Sequence, residues 1–445
     1  MTQASLQNLH ARRVWDSRGN PTVEVEVSVA GVNSEPVTGR AIAPAGASRG
    51  SREATDLRDG GSTLKGLDVS AALSAIETII KPALLGASVT DQRGIDQRLI
   101  ELDGTPLKSR LGGNAMVATS LAVLHAAAAA SRQPLWQYLT QAYGTEAVIP
   151  LPEIQIFGGG AHAGKRVDIQ DFMVMVPGAE SFDHALSITA EIYHAAGKLM
   201  EQQGRLAGVA DEGGWWPVFD SNEQALETLV RAIENAGETP GDRVVISLDV
   251  AASEFGKDGQ YQLGLDKRSL DSDGLTELLG RWLDKYPIAS IEDPLAEDDS
   301  AGMVAFTAAY GDRVQIIGDD YLVTNQQLVK QAVSDAACNA VLIKVNQAGT
   351  VSESIDTLLE AQAAGWQTIV SARSGETEDV SISHLSTGLG ARQLKVGSFT
   401  RSERMAKWNE CLRISDELQR STGKPAPFAG ATPLAGTEWG RRAAG

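Results

Sequence analysis

Hydrophobic and polar residues follow two different patterns along this chain, and the change falls near Leu151. Before it, Thr22 to Val29 alternates strictly between polar and apolar positions, which predicts a half-buried strand. A glycine-rich loop lies at 44–50, and an alanine- and leucine-rich stretch from Gly113 to Tyr138 predicts a long helix. Strands followed by helices indicate an α+β domain.

After Leu151, short apolar runs recur, and each is followed by a stretch with helical spacing. Runs this apolar are typical of strands buried on both faces of a parallel sheet. They read DFMVMV, VVISLDV, IASIEDP, VQIIGDD, AVLIKVN, QTIVSAR and QLKVGSF. At least five such units indicate an α/β fold with a β/α barrel.

Charged residues stand at or near the ends of six of these runs. They are Asp249, Glu292, Asp319, Lys344, Arg373 and Lys395. Strands that close into a barrel would bring these side chains to one mouth, where barrel enzymes place their chemistry. The three acids would form an all-oxygen site, which favours Mg²⁺ over zinc. A lysine close to a dication and other cations can have a lowered pKa and act as a base.

Composition limits the partners. The chain has 39 Lys and Arg against 57 Asp and Glu, a net charge of −18, which disfavours nucleic acid and anionic membrane surfaces. Two cysteines do not make a disulfide framework, so we expect a reducing, cytoplasmic location. We expect no segment of bilayer-spanning length and no signal peptide.

Ten motifs, in order and spacing, resemble the enolase family from about Ala11 to about Glu417. They are DSRGNPTVEVEV, ELDGTP, GGAHAG, DEGG, LDVAASEF, SIEDPLAEDD, GDDYLVTN, LIKVNQAGT, RSGETED and GSFTRSER. The resemblance implies an N-terminal α+β capping domain with a lid loop (residues 1–140) and a modified, TIM-like β/α barrel (141–420). We expect residues 421–445, rich in Gly, Pro and Ala, to be an extended or mobile extension. Homodimers or higher homo-oligomers are typical of the family.

The resemblance also implies a role for each matching residue. Asp249, Glu292 and Asp319 would hold the tightly bound Mg²⁺, and Ser48 in the lid would help to bind a second ion, giving one or two per subunit. Lys344 would take the α-proton, Lys395 would face the substrate carboxylate, and Glu212 would act as the general acid for loss of the 3-hydroxyl. The other implied contacts are His162 and Asp171 in catalysis, and Arg373 and Ser374 at the phosphoryl group.

Departures from the family pattern cluster at this predicted site. Ala372 stands where enolases usually have an active-site histidine, Asp171 where glutamate is expected, and Gly158 where asparagine is usual. Four cations would be added at the lip of the pocket: Arg49, Arg52, Lys165 and Arg166. Together these changes predict a similar proton abstraction on a small phospho- or phosphono-acid that is larger and more anionic at its phosphoryl end.

Within the family, that description resembles the carboxyphosphonoenolpyruvate synthases of phosphinothricin-type pathways, whose product carries a carboxylate on phosphorus. Two alternatives stay open: an authentic glycolytic enolase, and a catalytically silent relative that acts as a binding protein. The retained metal ligands and lysines argue against the silent relative. Racemases and dehydratases of the wider superfamily fit less well, because they lack the full KVNQ and SGETED context.

Overall fold

The computed structural model describes residues 4–30 and 36–444, and it begins with a small α+β domain. Three antiparallel strands pair in the order β1 (Leu6–Trp15), β2 (Pro21–Ala30) and β3 (Pro36–Ile42). Five helices follow: α1 (Ser70–Ala75), α2 (Lys81–Leu84), α3 (Gln92–Asp103), α4 (Gly113–Ala130) and α5 (Leu135–Tyr143). The predicted α+β class of this part is confirmed.

Helix α4 is the core of that domain and packs against β2 and β3. The prediction of a single helix from Gly113 to Tyr138 is wrong. Helix α4 ends at Ala130, and α5 begins directly after Pro134. The expectation that no segment reaches bilayer-spanning length is also wrong, because α4 is long and apolar enough by length and composition. However, 83% of α4 is buried inside the protein, which is the position of a core helix.

Eight strands close into a barrel, which confirms the predicted β/α architecture. In barrel order they are β4 (Leu151–Gly158), β5 (Asp171–Met175), β6 (Val245–Asp249), β10 (Ile288–Glu292), β11 (Gln315–Gly318), β12 (Ala340–Ile343), β13 (Gln367–Ser371) and β14 (Arg392–Ser398). Between β6 and β10 the chain forms a small antiparallel sheet of β7 (Gly256–Lys257), β8 (Gln260–Leu263) and β9 (Arg268–Asp271).

The barrel differs from the sequence prediction at its first two strands. β4 was not among the predicted runs, since its side chains include Glu153 and Gln155. β5 was predicted as a parallel strand but runs antiparallel to both β4 and β6. Reversing β5 places its first residue, Asp171, beside Asp249 at the last position of β6. Asp171 therefore reaches the same mouth as the strand-end residues.

Helices surround the barrel, and side-chain caps fix where most of them begin. They are α6 (Phe182–Gln202), α7 (Asn222–Asn235), α8 (Ser272–Lys285), α9 (Ser300–Tyr310), α10 (Gln326–Asp335), α11 (Val345–Ala348), α12 (Val351–Ala363), α13 (Ser381–Gly388) and α14 (Ser402–Thr422). The capping side chains of six of them accept a hydrogen bond from a first-turn N–H: Ser181, Ser221, Asp271, Asp299, Asn325 and Thr350.

Residues 421–444 do not form the extended or mobile extension that their composition predicts. Leu434 is fully buried against Leu151, Met175 and Val245 at the end of the barrel opposite the mouth. The carbonyl of Pro433 accepts a hydrogen bond from Gln315, and a last helix, α15 (Glu438–Ala444), follows. This segment closes the base of the barrel, because its few large apolar side chains have a matching apolar surface there.

Candidate active site

A small polar cavity of about 20 Å³ opens at the mouth of the barrel. It is lined by Ser48, His162, Gln170, Asp171, Glu212, Asp249, Lys344, Ser371, Ala372, Arg373, Ser374, Lys395, Val396 and Gly397. Most of the side chains predicted as catalytic or phosphoryl-binding are therefore together in one place. Arg49, Arg52, Lys165 and Arg166 are not among the lining residues.

Lys395 is the centre of the acidic side of the cavity. Its Nζ lies 2.8 Å from Asp249 Oδ2 and 2.7 Å from Glu292 Oε2, with Asp171 Oδ2 at 3.4 Å. Lys395 lies within β14 rather than at its end, so it reaches up to the mouth from below. Burial would lower the pKa of Lys395, but the carboxylates around it outweigh burial and raise the pKa well above its usual range.

Lys344, at the end of β12, forms an ion pair with Asp319. Burial works to lower the pKa of Lys344, and the Asp319 carboxylate reverses the direction, so the net pKa is raised. This is opposite to the lowered pKa expected for a base. The reason is the ion pair itself, because an unshielded carboxylate stabilises the ammonium form.

The three predicted metal ligands suit a hard cation by their chemistry, since all are carboxylates. Oε1 of Glu292 is buried and has no hydrogen-bond partner among the described residues, so it is a free oxygen donor. Burial and the neighbouring Asp249 carboxylate raise the pKa of Glu292 well above its usual range. A dication would relieve that repulsion, so the residues present fit Mg²⁺.

Two other groups hold three candidate ligand atoms within 4.8 Å of one another, within residues 4–30 and 36–444. One is Asp293, Asp319 and Asp320; the other is His162, Asp171 and Glu212. Asp293 accepts hydrogen bonds from the backbone N–H groups of Asp319 (2.9 Å) and Asp320 (2.7 Å), so it shapes the loop that carries Asp319. Among the described residues, Asp249, Glu292 and Asp319 do not form such a group. One oxygen of each is paired with a lysine, Asp249 and Glu292 with Lys395 and Asp319 with Lys344.

His162, Asp171 and Glu212 form a second cluster of side chains in the cavity, next to Lys395. Nε2 of His162 lies 3.8 Å from Asp171 and 3.9 Å from Glu212. Burial raises the pKa of Asp171 to about 6, against the opposing effect of the His162 and Lys395 charges. Burial would also raise the pKa of Glu212, but His162, Arg404 and the two lysines outweigh it and lower that pKa.

Two glutamines that sequence reasoning missed hold the acids in place. Gln170 donates to Asp249 Oδ2 at 3.0 Å. Gln155 donates to Asp171 and lies 3.5 Å from Glu212 Oε2. Neither is charged, and only knowledge of the strand pairing would have pointed to them.

Arg373 and Ser374 form the predicted phosphoryl-binding corner, and the lid loop lies directly on them. Arg373 is almost fully buried. Its guanidinium lies 2.9 and 3.2 Å from the two carboxylate oxygens of Glu53. The guanidinium also donates to the carbonyl of Ser48 at 2.9 Å. Ser374 Oγ accepts from the N–H of Ala47 at 2.6 Å. A Cβ at Gly46 would fall 1.9 Å from the guanidinium, so the close approach requires glycine. Glu53 was missed at the sequence level, although it stands in the lid sequence.

Three of the four predicted rim cations bond to groups outside the cavity. Arg49 donates to the carbonyl of Ala54, and Arg52 to the carbonyl of Tyr321, both at 2.8 Å. Lys165 pairs with Glu254 at 3.1 Å and is 63% exposed. Arg166 is half-buried, and its side chain makes no hydrogen bond or ion pair with any described residue. The structure thus does not bring the rim cations into the cavity.

Both parts of the chain match known family models. Residues 6–139 match the model described as "Enolase, N-terminal domain", and residues 146–435 match "Enolase, C-terminal TIM barrel domain". These matches cover most of the chain, and the closed barrel with its small N-terminal domain agrees with them. The chain therefore belongs to the enolase family, a family of lyase-type enzymes that typically use Mg²⁺.

Proposed function

We propose that this chain is a Mg²⁺-dependent lyase that forms an enolpyruvate phospho-ester from a 2-phosphoglycerate-type acid. The observation that carries the proposal is the cavity, where a lysine, an acid pair and an Arg–Ser corner converge. Mg²⁺ held by Asp249, Glu292 and Asp319 would supply positive charge against the substrate carboxylate. We propose a cytoplasmic homodimer or higher oligomer as its working form.

The two proton transfers use different side chains of the cavity. Lys344 takes the proton from the α-carbon, which breaks the C–H bond and leaves negative charge toward the carboxylate near Lys395. Glu212 then gives a proton to the 3-hydroxyl, so that the C–O bond breaks, the C=C bond forms and water leaves. An anionic substrate beside Glu212 would favour the protonated form that this step needs.

We further propose a substrate with an extra group at its phosphoryl end, as in carboxyphosphonoenolpyruvate synthases. The support is the small side chain of Ala372, which lines the cavity next to Arg373 and Ser374. The backbone N–H of Ala372 donates to the carbonyl of Lys395. The rim cations add little to this proposal, because three of them are engaged by other groups. An ordinary enolase is the alternative, favoured by the retained Lys344, Glu212 and Lys395.

The experiment is to compare turnover of 2-phosphoglycerate by the wild type and Ala372→His, following the ultraviolet absorbance of the enol ester. We expect a slow wild type and a gain in the variant, because an imidazole would fill the space beside the phosphoryl corner. A wild-type turnover in the ordinary range of roughly 1–10³ s⁻¹ would refute the specialised substrate and leave an ordinary enolase.

A further inference from the structure

Gln155 does not line the cavity, yet its carboxamide joins Asp171 and Glu212, which do. Its Nε2 donates to Asp171 Oδ1 and lies 3.5 Å from Glu212 Oε2. Its Oε1 accepts the backbone N–H of Gly214 at 2.9 Å, two residues beyond Glu212. The orientation of the amide is therefore fixed from both sides, with its NH₂ group turned to the carboxylates.

The surroundings of Gln155 leave its amide no freedom to move. The side chain is fully buried. A Cβ at Gly214 would meet Oε1 at 2.4 Å, and a Cβ at Gly158 would meet Oε1 and Nε2 at 3.1 and 3.2 Å. Glycine at both positions is thus what allows the backbone to close around the amide.

Two of the departures noted in the sequence meet at this one side chain. Asp171 is one methylene shorter than the expected glutamate, and Gln155 spans the distance to it from β4. Gly158, which replaces an expected asparagine, packs its backbone against the same amide. The two departures are therefore parts of one local arrangement and not independent changes.

We propose that Gln155 is a positioning residue that sets the separation of Asp171 and Glu212 and so aligns the acid for loss of the 3-hydroxyl. This inference rests on the proposed function. Because Gln155 bonds to Asp171 and Glu212, whereas Lys344 is held by Asp319, Gln155 affects the second step and not the first. The length of the side chain at 155 is matched to the length at 171.

The test separates the two steps with 2-phosphoglycerate and Mg²⁺ in D₂O. Exchange of the α-proton, followed by NMR, reports the Lys344 step, and formation of the enol ester reports the complete reaction. Gln155→Asn should lower enol ester formation by roughly tenfold or more, because misplacement of about 1 Å can cost 10²-fold. Exchange should stay within about twofold of the wild type, since Lys344 is untouched.

A second test shortens the side chain at position 155 by one methylene and lengthens the side chain at position 171 by one. Asp171→Glu alone should also lower ester formation, because the added methylene pushes the carboxylate into the buried Gln155 amide. The double variant Gln155→Asn with Asp171→Glu restores the summed length and should recover ester formation to within about threefold of the wild type. Loss equal to the product of the two single effects would overturn the length match.

Gln315→Asn is the matched control, because Gln315 is an equally buried barrel glutamine bonded to Ser290 and Gln393 at the other end. Gln315→Asn should change α-proton exchange and enol ester formation by the same factor, or leave both unchanged. Equal loss of both activities in Gln155→Asn would overturn the positioning role.

A wild type that neither exchanges nor dehydrates this probe would refute the proposed function on that substrate, and the role of Gln155 would then be decided by crystal structures of the wild type and Gln155→Asn. We expect the carboxylates of Asp171 and Glu212 to shift relative to each other in the variant. Unmoved carboxylates would overturn the proposal.

Discussion

Side chains carried by the barrel strands and side chains carried by the loops above them behave differently in this protein. Asp249, Glu292 and Lys395 are almost completely buried and bond to one another. Arg52 and Lys165 lie on loops at the surface. Arg52 bonds to a backbone carbonyl, and Lys165 bonds to a carboxylate. Barrel closure fixes the first group, whereas local backbone fixes the second. The strands therefore carry the buried lysine and carboxylates at the mouth, whereas Arg52 and Lys165 lie outside the cavity.

The largest effect should come from removing Lys344, the proposed base. Lys344→Ala should lower α-proton exchange by about 10²–10⁴-fold, the usual contribution of a positioned base. Exchange in D₂O measures it, and exposed Lys257→Ala is the matched control. Exchange at the wild-type rate in Lys344→Ala would assign the base elsewhere.

The acidic side of the mouth should govern Mg²⁺ binding. Asp249→Asn should weaken Mg²⁺ affinity by about 100-fold or more, because losing even an outer-shell partner costs 10–100-fold. Titration calorimetry and the Mg²⁺-dependent rise in Tm would both report it. Asp258→Asn, on an exposed turn, should leave both unchanged; an unaltered affinity in Asp249→Asn would remove Asp249 from the ligand set.

Glu53 tests whether burial, rather than location on a loop, decides importance. Glu53→Gln leaves the buried Arg373 guanidinium with one charge unpaired, so the free energy of unfolding should fall by about 3–5 kcal/mol. Urea denaturation measures it. Glu254→Gln breaks the exposed pair with Lys165 and should cost no more than about 1 kcal/mol. Equal losses in the two variants would contradict the distinction.

The smallest effects should come from the rim cations. Arg52→Ala and Lys165→Ala should change KM for 2-phosphoglycerate by less than about threefold and alter mainly its salt dependence. Arg166→Ala should have the larger effect, because no described residue pairs with its side chain. Steady-state kinetics at two ionic strengths would check the order, and a larger effect of Arg52 would place it in the substrate path.

The strand-end residues could be predicted from sequence because a charge after an apolar run is visible in one dimension, and a barrel brings such positions together. The antiparallel direction of β5 could not be predicted, because an apolar run such as DFMVM is the same in a parallel and an antiparallel strand. Gln155 was missed because it lies within a strand that breaks the apolar pattern. The rim cations were misplaced because charge alone does not say which carbonyl a long side chain will reach.

The C-terminal segment shows the same limit. Glycine, proline and alanine at 421–445 predict an extended chain, but Leu434 and Trp439 are enough to seat it on the base of the barrel. Composition averages over a segment, whereas packing depends on a few large side chains that meet a complementary surface.

The central claim is that the strands assemble an α-proton abstraction site that depends on a dication. Its most direct test is exchange of the α-proton of 2-phosphoglycerate in D₂O by the wild type, with Mg²⁺ and with a chelator. We predict exchange that requires Mg²⁺ and that proceeds even where net formation of the enol ester is slow. Absence of exchange with Mg²⁺ present and bound would contradict the account.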